Sequence, residues 1–198
     1  MQNDIWFRPL IWMDYRLALL FTVALPIILL LWAVVQKADA IQRLLTIYWR
    51  VSSLVAITIY LLIAQIPVGF LAGFIARILI PISLWFWVDL NEEIEDQPTS
   101  ALKLTFNSWR WAITLYCLLA AIAQIPSLGC AFSAGAIAHS FCQTWIELPL
   151  IFKDYFHPNT SAQFLGFLAY AALIFYVVCL GYFVFFKLGK QGRFATRQ

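Results

Sequence analysis

LALLFTVALPIILLLWAVV (Leu17–Val35) and QFLGFLAYAALIFYVVCLGYFVFF (Gln163–Phe186) decide the fold. Neither stretch carries a charged side chain, and each is about as long as a helix must be to cross a hydrocarbon core of roughly 30 Å. Inside lipid every backbone polar group has to be satisfied within the chain, so such stretches read as membrane-spanning helices. Pro26 falls in the middle of the first. It removes one backbone donor and frees a carbonyl, which predicts a kink that neighbouring helices must accommodate. The flanks Asp14 and Arg16, and the lack of a small-residue cleavage site before Lys37, argue for a retained span rather than a cleaved leader.

Working outward, the same criterion predicts an all-α, polytopic transmembrane helix bundle of five spans, at about 17–35, 51–65, 70–88, 109–125 and 163–186. The second span has an interfacial start. Pro67 and Gly69 mark a tight turn between the second and third. Composition agrees: 63% of the 198 residues are hydrophobic and 12% charged, against about 45–50% and 25% in soluble domains. The chain has room for one bundle and no second folded domain. The net charge of +3 is spread over helix ends, which speaks against nucleic-acid binding.

Lys and Arg set the expected orientation. With the C-terminus inside, the inner side holds Lys37, Arg43, Arg50, Lys103, Arg110, Lys187, Lys190, Arg193 and Arg197, and the outer side only Arg8, Arg16 and Lys153. Making residues 131–152 a sixth span would turn nine against three into six against six. It would also put His139, Gln143 and Glu147 in lipid, where polar groups are costly. An interfacial or re-entrant helix is expected there instead. Trp6, Trp12, Tyr15, Tyr48, Trp49, Trp85, Trp87, Trp109 and Trp111 stand near span ends and read as a headgroup belt.

Two stretches echo each other. Trp49-Arg50, Ala56-Ile57-Thr58, Tyr60 and Gln65-Ile66-Pro67 recur as Trp109-Arg110, Ala112-Ile113-Thr114, Tyr116 and Gln124-Ile125-Pro126. Order is kept and spacing is not, so duplication stays open. The echo makes spans two and four parallel, as the charge count does. It also aligns Arg77 with His139 and favours the sixth span, against the charge count.

Few residues could carry chemistry. Arg77 lies inside the third span, where a charge needs a partner or water, or a stem long enough to snorkel. It is the candidate partner or lipid contact, and an anionic headgroup is a conceivable ligand. Asp89, Glu92, Glu93, Glu95 and Asp96 form an acidic run that reads as a solvated loop or a docking patch for a basic partner. Asp89 would share a helix face with Glu92 or Glu93. Glu147 reads as an interfacial carboxylate, and a site shared with His139 is the rarer alternative. Cys117 and Cys179 read as small apolar residues. Cys130 and Cys142 share the outer loop and are a candidate disulfide. No haem-attachment motif, no span histidine and no GxSxG, HExxH or phosphate-loop motif is present, so no cofactor, resident metal or enzymatic reaction is expected.

One block is distinctive as a fingerprint: Ala76-Arg77-Ile78-Leu79-Ile80-Pro81-Ile82-Ser83-Leu84-Trp85-Phe86-Trp87-Val88-Asp89-Leu90-Asn91-Glu92-Glu93. It is joined by Trp6-Phe7-Arg8-Pro9-Leu10, Tyr48-Trp49-Arg50 and Leu188-Gly189-Lys190-Gln191-Gly192-Arg193. In these the chain resembles a family of small multispan proteins of unknown function from cyanobacteria and related photosynthetic lineages. The resemblance implies a thylakoid or plasma-membrane address and a non-catalytic role in the assembly or stability of a photosynthetic complex, with photosystem subunits as expected partners. It carries over no catalytic or binding residue. The alternative is a small transporter or channel with Arg77 near its pathway, suggested by Pro26, Pro67, Pro81 and the echo. A membrane enzyme would need Glu147 and His139 in one pocket.

Overall fold

The computed structural model of the chain describes residues 7–132, 134–188, 193 and 195, and within them every regular element is helical. Seven α-helices follow in order among these residues. Helix α1 is Arg8–Val35, α2 Asp39–Ile63, α3 Val68–Trp85, α4 Val88–Asp96, α5 Ala101–Gln124, α6 Ser140–Phe156 and α7 Ala162–Tyr182. Five of them, α1, α2, α3, α5 and α7, are long and apolar enough to cross a membrane. They run up and down, so one end of the bundle carries α6 and a disulfide and the other carries the short acidic helix α4.

The expected spans are all present, and most begin earlier than hydropathy indicated. Helix α2 starts at Asp39 rather than near residue 51. Its first three turns place Ala40, Ile41, Leu44, Leu45 and Tyr48 in the core and leave Arg43 exposed. That spacing is the apolar stripe of an amphipathic helix, which a search for uninterrupted apolar runs passes over. Residues 131–152 do not form a sixth span. A 3-10 turn over Ala134–Ala138 leads into α6, which packs against α1 and α2 at the disulfide end.

Pro26 is accommodated without a break. Residues Leu19–Ala24 adopt π-helical turns, and the Leu25 amide bonds back to the Leu20 carbonyl. The Phe21 and Thr22 carbonyls, which a regular helix would pair near position 26, are taken by side chains from other helices. Trp109 Nε1 donates to Phe21 at 2.9 Å and the Tyr48 hydroxyl donates to Thr22 at 2.7 Å. Removing a backbone donor thus creates two tertiary hydrogen bonds. The belt reading is corrected accordingly. Tyr48 is fully buried, and Trp87 and Trp109 are only 6% and 4% exposed. Trp111 is exposed as a belt residue should be, and Trp6 lies outside the described residues.

The two Gln-Ile-Pro copies diverge. After α2, Gln65 takes a left-handed φ of 54°, and the Gln65 and Ile66 amides bond to the Leu62 and Leu61 carbonyls at 3.0 Å each. This double bond pattern ends a helix and reverses the chain. After α5, Gln124 stays helical and the chain runs on as a 3-10 helix through Ile125–Ala131. Helices α2 and α5 are parallel, as both the echo and the charge count required, but the second copy has no returning span. Lys37 (φ 52°) ends α1 in the same way as Gln65 ends α2.

Helix α7 lies mainly on α2 and touches it closely at one point. A β-carbon on Gly166 would stand 2.4 Å from the Ala64 β-carbon, so only glycine fits there. The first and last spans bury the smallest share of their surface.

Candidate functional site: two buried arginines and a docked tail

Arg77 projects from the middle of α3 towards α1 and α5. Its Nη2 pairs with the Asp14 carboxylate of α1, and its Nη1 donates to the Ala120 carbonyl of α5 at 2.7 Å. The Tyr116 hydroxyl donates to Asp14 Oδ1 at 2.8 Å. Both ionic side chains are about 15% exposed. One charge pair therefore joins three spans, and the guanidinium does not need to snorkel to either surface. Asp14 was treated in the sequence as a flanking residue. What could have flagged it is its place in a helix that continues backwards to Arg8, with Asp14, Ala18 and Thr22 at four-residue intervals. Next to it, the Tyr15 hydroxyl donates to the Trp145 carbonyl of α6 at 2.8 Å.

Arg110 is the second buried arginine, 9% exposed. It stacks on Trp85, 3.9 Å from the ring centroid, and donates through Nη1 to Asn91 Oδ1 at 2.7 Å. Trp85 Nε1 in turn donates to Thr114. These contacts bind the end of α3, the start of α4 and one face of α5 together.

The acidic residues are split among partners rather than gathered. Leu90 and Ile94 bury one side of α4, so the run is a helix and not a loop. Asp89 Oδ1 accepts the Ala195 amide of the C-terminal tail at 2.9 Å. Glu93 stands 4.0 Å from Arg43, and Glu92 is exposed. Lys103 bonds to the Glu95 and Gln97 carbonyls at 2.6 Å each, which holds the α4–α5 connection. Lys190 and Arg197 lie outside the described residues.

At the disulfide end, Glu147 accepts from Arg8 Nε at 2.9 Å and from Trp12 Nε1 at 3.4 Å, which ties α6 to the start of α1. His139 stands exposed ahead of α6 and His157 meets the Tyr60 hydroxyl at 3.0 Å. Glu147 is thus paired with Arg8, while His139 is exposed ahead of α6. Cys130 and Cys142 are bonded to each other with Cα atoms 6.0 Å apart. Cys117 is buried and Cys179 is exposed on α7. Among the described residues no cluster of three His, Cys, Asp or Glu side chains is placed to hold a metal.

These features define a polytopic α-helical membrane protein of five candidate spans whose intramembrane charges are spent on holding helices together. Residues 8–196 match the family described as a protein of unknown function, DUF3177, and the chain belongs to that family. No curated protein and no solved structure matches it.

Proposed function

We propose that this protein is a non-catalytic accessory subunit of a photosynthetic membrane, serving the assembly or stability of a larger complex. In this reading the membrane is the thylakoid or plasma membrane of a cyanobacterium. The disulfide end faces the lumen or periplasm and the acidic-helix end faces the cytoplasm. The observation that carries the reading is α7, an aromatic-rich span attached mainly to α2, with Phe164, Phe167, Phe175 and Val178 exposed on it and Phe185 exposed just beyond its end. A span with so little intramolecular contact leaves a broad face for a neighbouring subunit. The resemblance of the 76–93 block to proteins of photosynthetic lineages supports the setting, and the nine-to-three distribution of Lys and Arg supports the orientation. For the transport alternative, Arg77 is already paired with Asp14 and bonded to the Ala120 carbonyl, so a solute would have to share or displace these partners.

The test is purification of the C-terminally tagged chain from its native membrane in mild detergent, with mass spectrometry and an absorption spectrum. Stoichiometric photosystem subunits or chlorophyll are the expected result. A colourless preparation of this chain alone overturns the accessory reading. Solute flux in proteoliposomes that disappears in Arg77→Met would put transport in its place.

A further inference from the structure

The junction between α3 and α4 is where the tail returns. Helix α3 ends at Trp85, α4 begins at Val88, and the break leaves the Phe86 carbonyl and the Val88 amide without intrahelical partners. The tail supplies both. The Arg193 carbonyl accepts from the Val88 amide at 3.1 Å, and Arg193 Nε donates to the Phe86 carbonyl at 3.1 Å. Two residues on, the Ala195 amide donates to Asp89 Oδ1 at 2.9 Å. The Arg193 guanidinium also lies 5.5 Å from the Phe86 ring centroid. Two of these four contacts use tail backbone and the other two use the one arginine side chain. They describe recognition of a basic segment partly through its main chain, with one arginine giving selectivity.

Charge points the same way. Helix α4 carries Asp89, Glu92, Glu93, Glu95 and Asp96 without a basic residue, whereas the last twelve residues carry Lys187, Lys190, Arg193 and Arg197 without an acidic one. Glu92 remains exposed beside the occupied Asp89. We infer that the α3–α4 junction is a docking site for a short basic segment of a partner protein, and that the chain's own tail is its tethered occupant. The recognised pattern is an arginine followed two residues later by any residue with a free backbone N–H. The partner segment displaces the tail and uses the same Phe86, Val88 and Asp89 groups. This deepens the accessory reading by naming the partner's chemistry, and it rests on that reading only for the partner being a protein.

A labelled peptide with the sequence of residues 187–198 is the probe, titrated onto the full-length protein in lipid nanodiscs. A tethered competitor raises its own local concentration far above that of the free peptide. Wild-type protein should therefore bind the peptide roughly ten-fold or more weakly than an Arg193→Ala/Ala195→Pro variant, in which the arginine and the donated amide are gone. Arg193→Ala alone is the milder variant should the double change disturb the fold. Adding Asp89→Asn to the tail variant should reduce binding again. No binding to either tail variant, equal binding to wild type and tail variant, or indifference to Asp89→Asn overturns the inference. Equal affinity for protein-free discs of the same anionic lipid also overturns it, because the tail would then be a membrane-surface segment. The outcome is separable from the co-purification experiment, since a purified chain with no photosynthetic partner can still bind the peptide.

Discussion

Arg77 and Arg110 both carry a charge on apolar helices, Arg77 half-way along α3 and Arg110 on α5 towards the acidic-helix end. Arg77 meets a carboxylate, a backbone carbonyl and, through Asp14, a tyrosine hydroxyl. Among the described residues Arg110 has no carboxylate within ion-pair distance. A tryptophan ring and an asparagine oxygen serve it instead. The difference follows depth. A cation in the middle of a span is far from water on both sides, so only an opposite charge with further hydrogen bonds offsets its desolvation. A cation near a span end, though only 9% exposed here, lies within the field of the acidic helix, and ring and amide dipoles suffice beside it. The comparison predicts that the two sites respond differently to loss of a partner.

The largest effect is expected from Asp14→Ala. It leaves the Arg77 guanidinium charged and unpaired between three helices, at a cost of about 3–5 kcal/mol. Unfolding of the purified protein in mild detergent or nanodiscs measures it, and adding Arg77→Met should recover much of the loss. A single variant as stable as wild type would break the comparison at its stronger end. Arg110→Met should cost less, roughly 1–3 kcal/mol, since it removes a stacking contact and one hydrogen bond but strands no carboxylate. If Arg110→Met proves the more damaging of the two, the depth argument fails. Tyr116→Phe takes one donor from Asp14 while leaving the ion pair, and about 1 kcal/mol is expected in the same assay. The smallest change is Asn91→Asp, which gives Arg110 the counter-charge it lacks. The gain of a charged acceptor is offset by loss of the Asn91 bond to the Trp85 carbonyl, so a net shift under about 1 kcal/mol should be seen. A stabilisation of several kcal/mol would show that Arg110 was waiting for an anion.

Much of the architecture was legible because lipid imposes one rule. Leu17–Val35 and Gln163–Phe186 have no alternative to helix, and the polar side chains of residues 139–147 made a sixth span expensive; an α6 packed at the disulfide end satisfies both. Apolar run length misjudged where helices begin, since amphipathic turns such as Ala40–Tyr48 look interfacial until the face they cover is known. The candidate residues were less legible. Arg77 stood out as a charge needing a partner, water or a snorkelling stem, and the carboxylate it meets lies 63 positions away; no spacing rule connects residues on different spans. Tyr48 and Trp109 looked like headgroup anchors because aromatic rings at span ends usually are. Their burial depends on the two carbonyls that Pro26 releases from another helix.

The sequence by itself determined that the chain is a helical membrane bundle, how many spans it has, and that α2 and α5 are parallel. These follow from apolar length, backbone satisfaction and charge, which are local properties. Only the tertiary structure decided that Asp14 answers Arg77, that Arg110 rests on Trp85, that Glu147 belongs to Arg8, and that the tail docks beside Asp89. Two copies of Gln-Ile-Pro make the reason concrete. Gln65 turns left-handed and sends α3 back across the bundle, whereas Gln124, buried at the end of α5 against α3, keeps its helix going and donates to the Phe70 carbonyl. The same three residues end a helix in one place and continue it in another, because the free energy that chooses between them comes from the helices packed alongside.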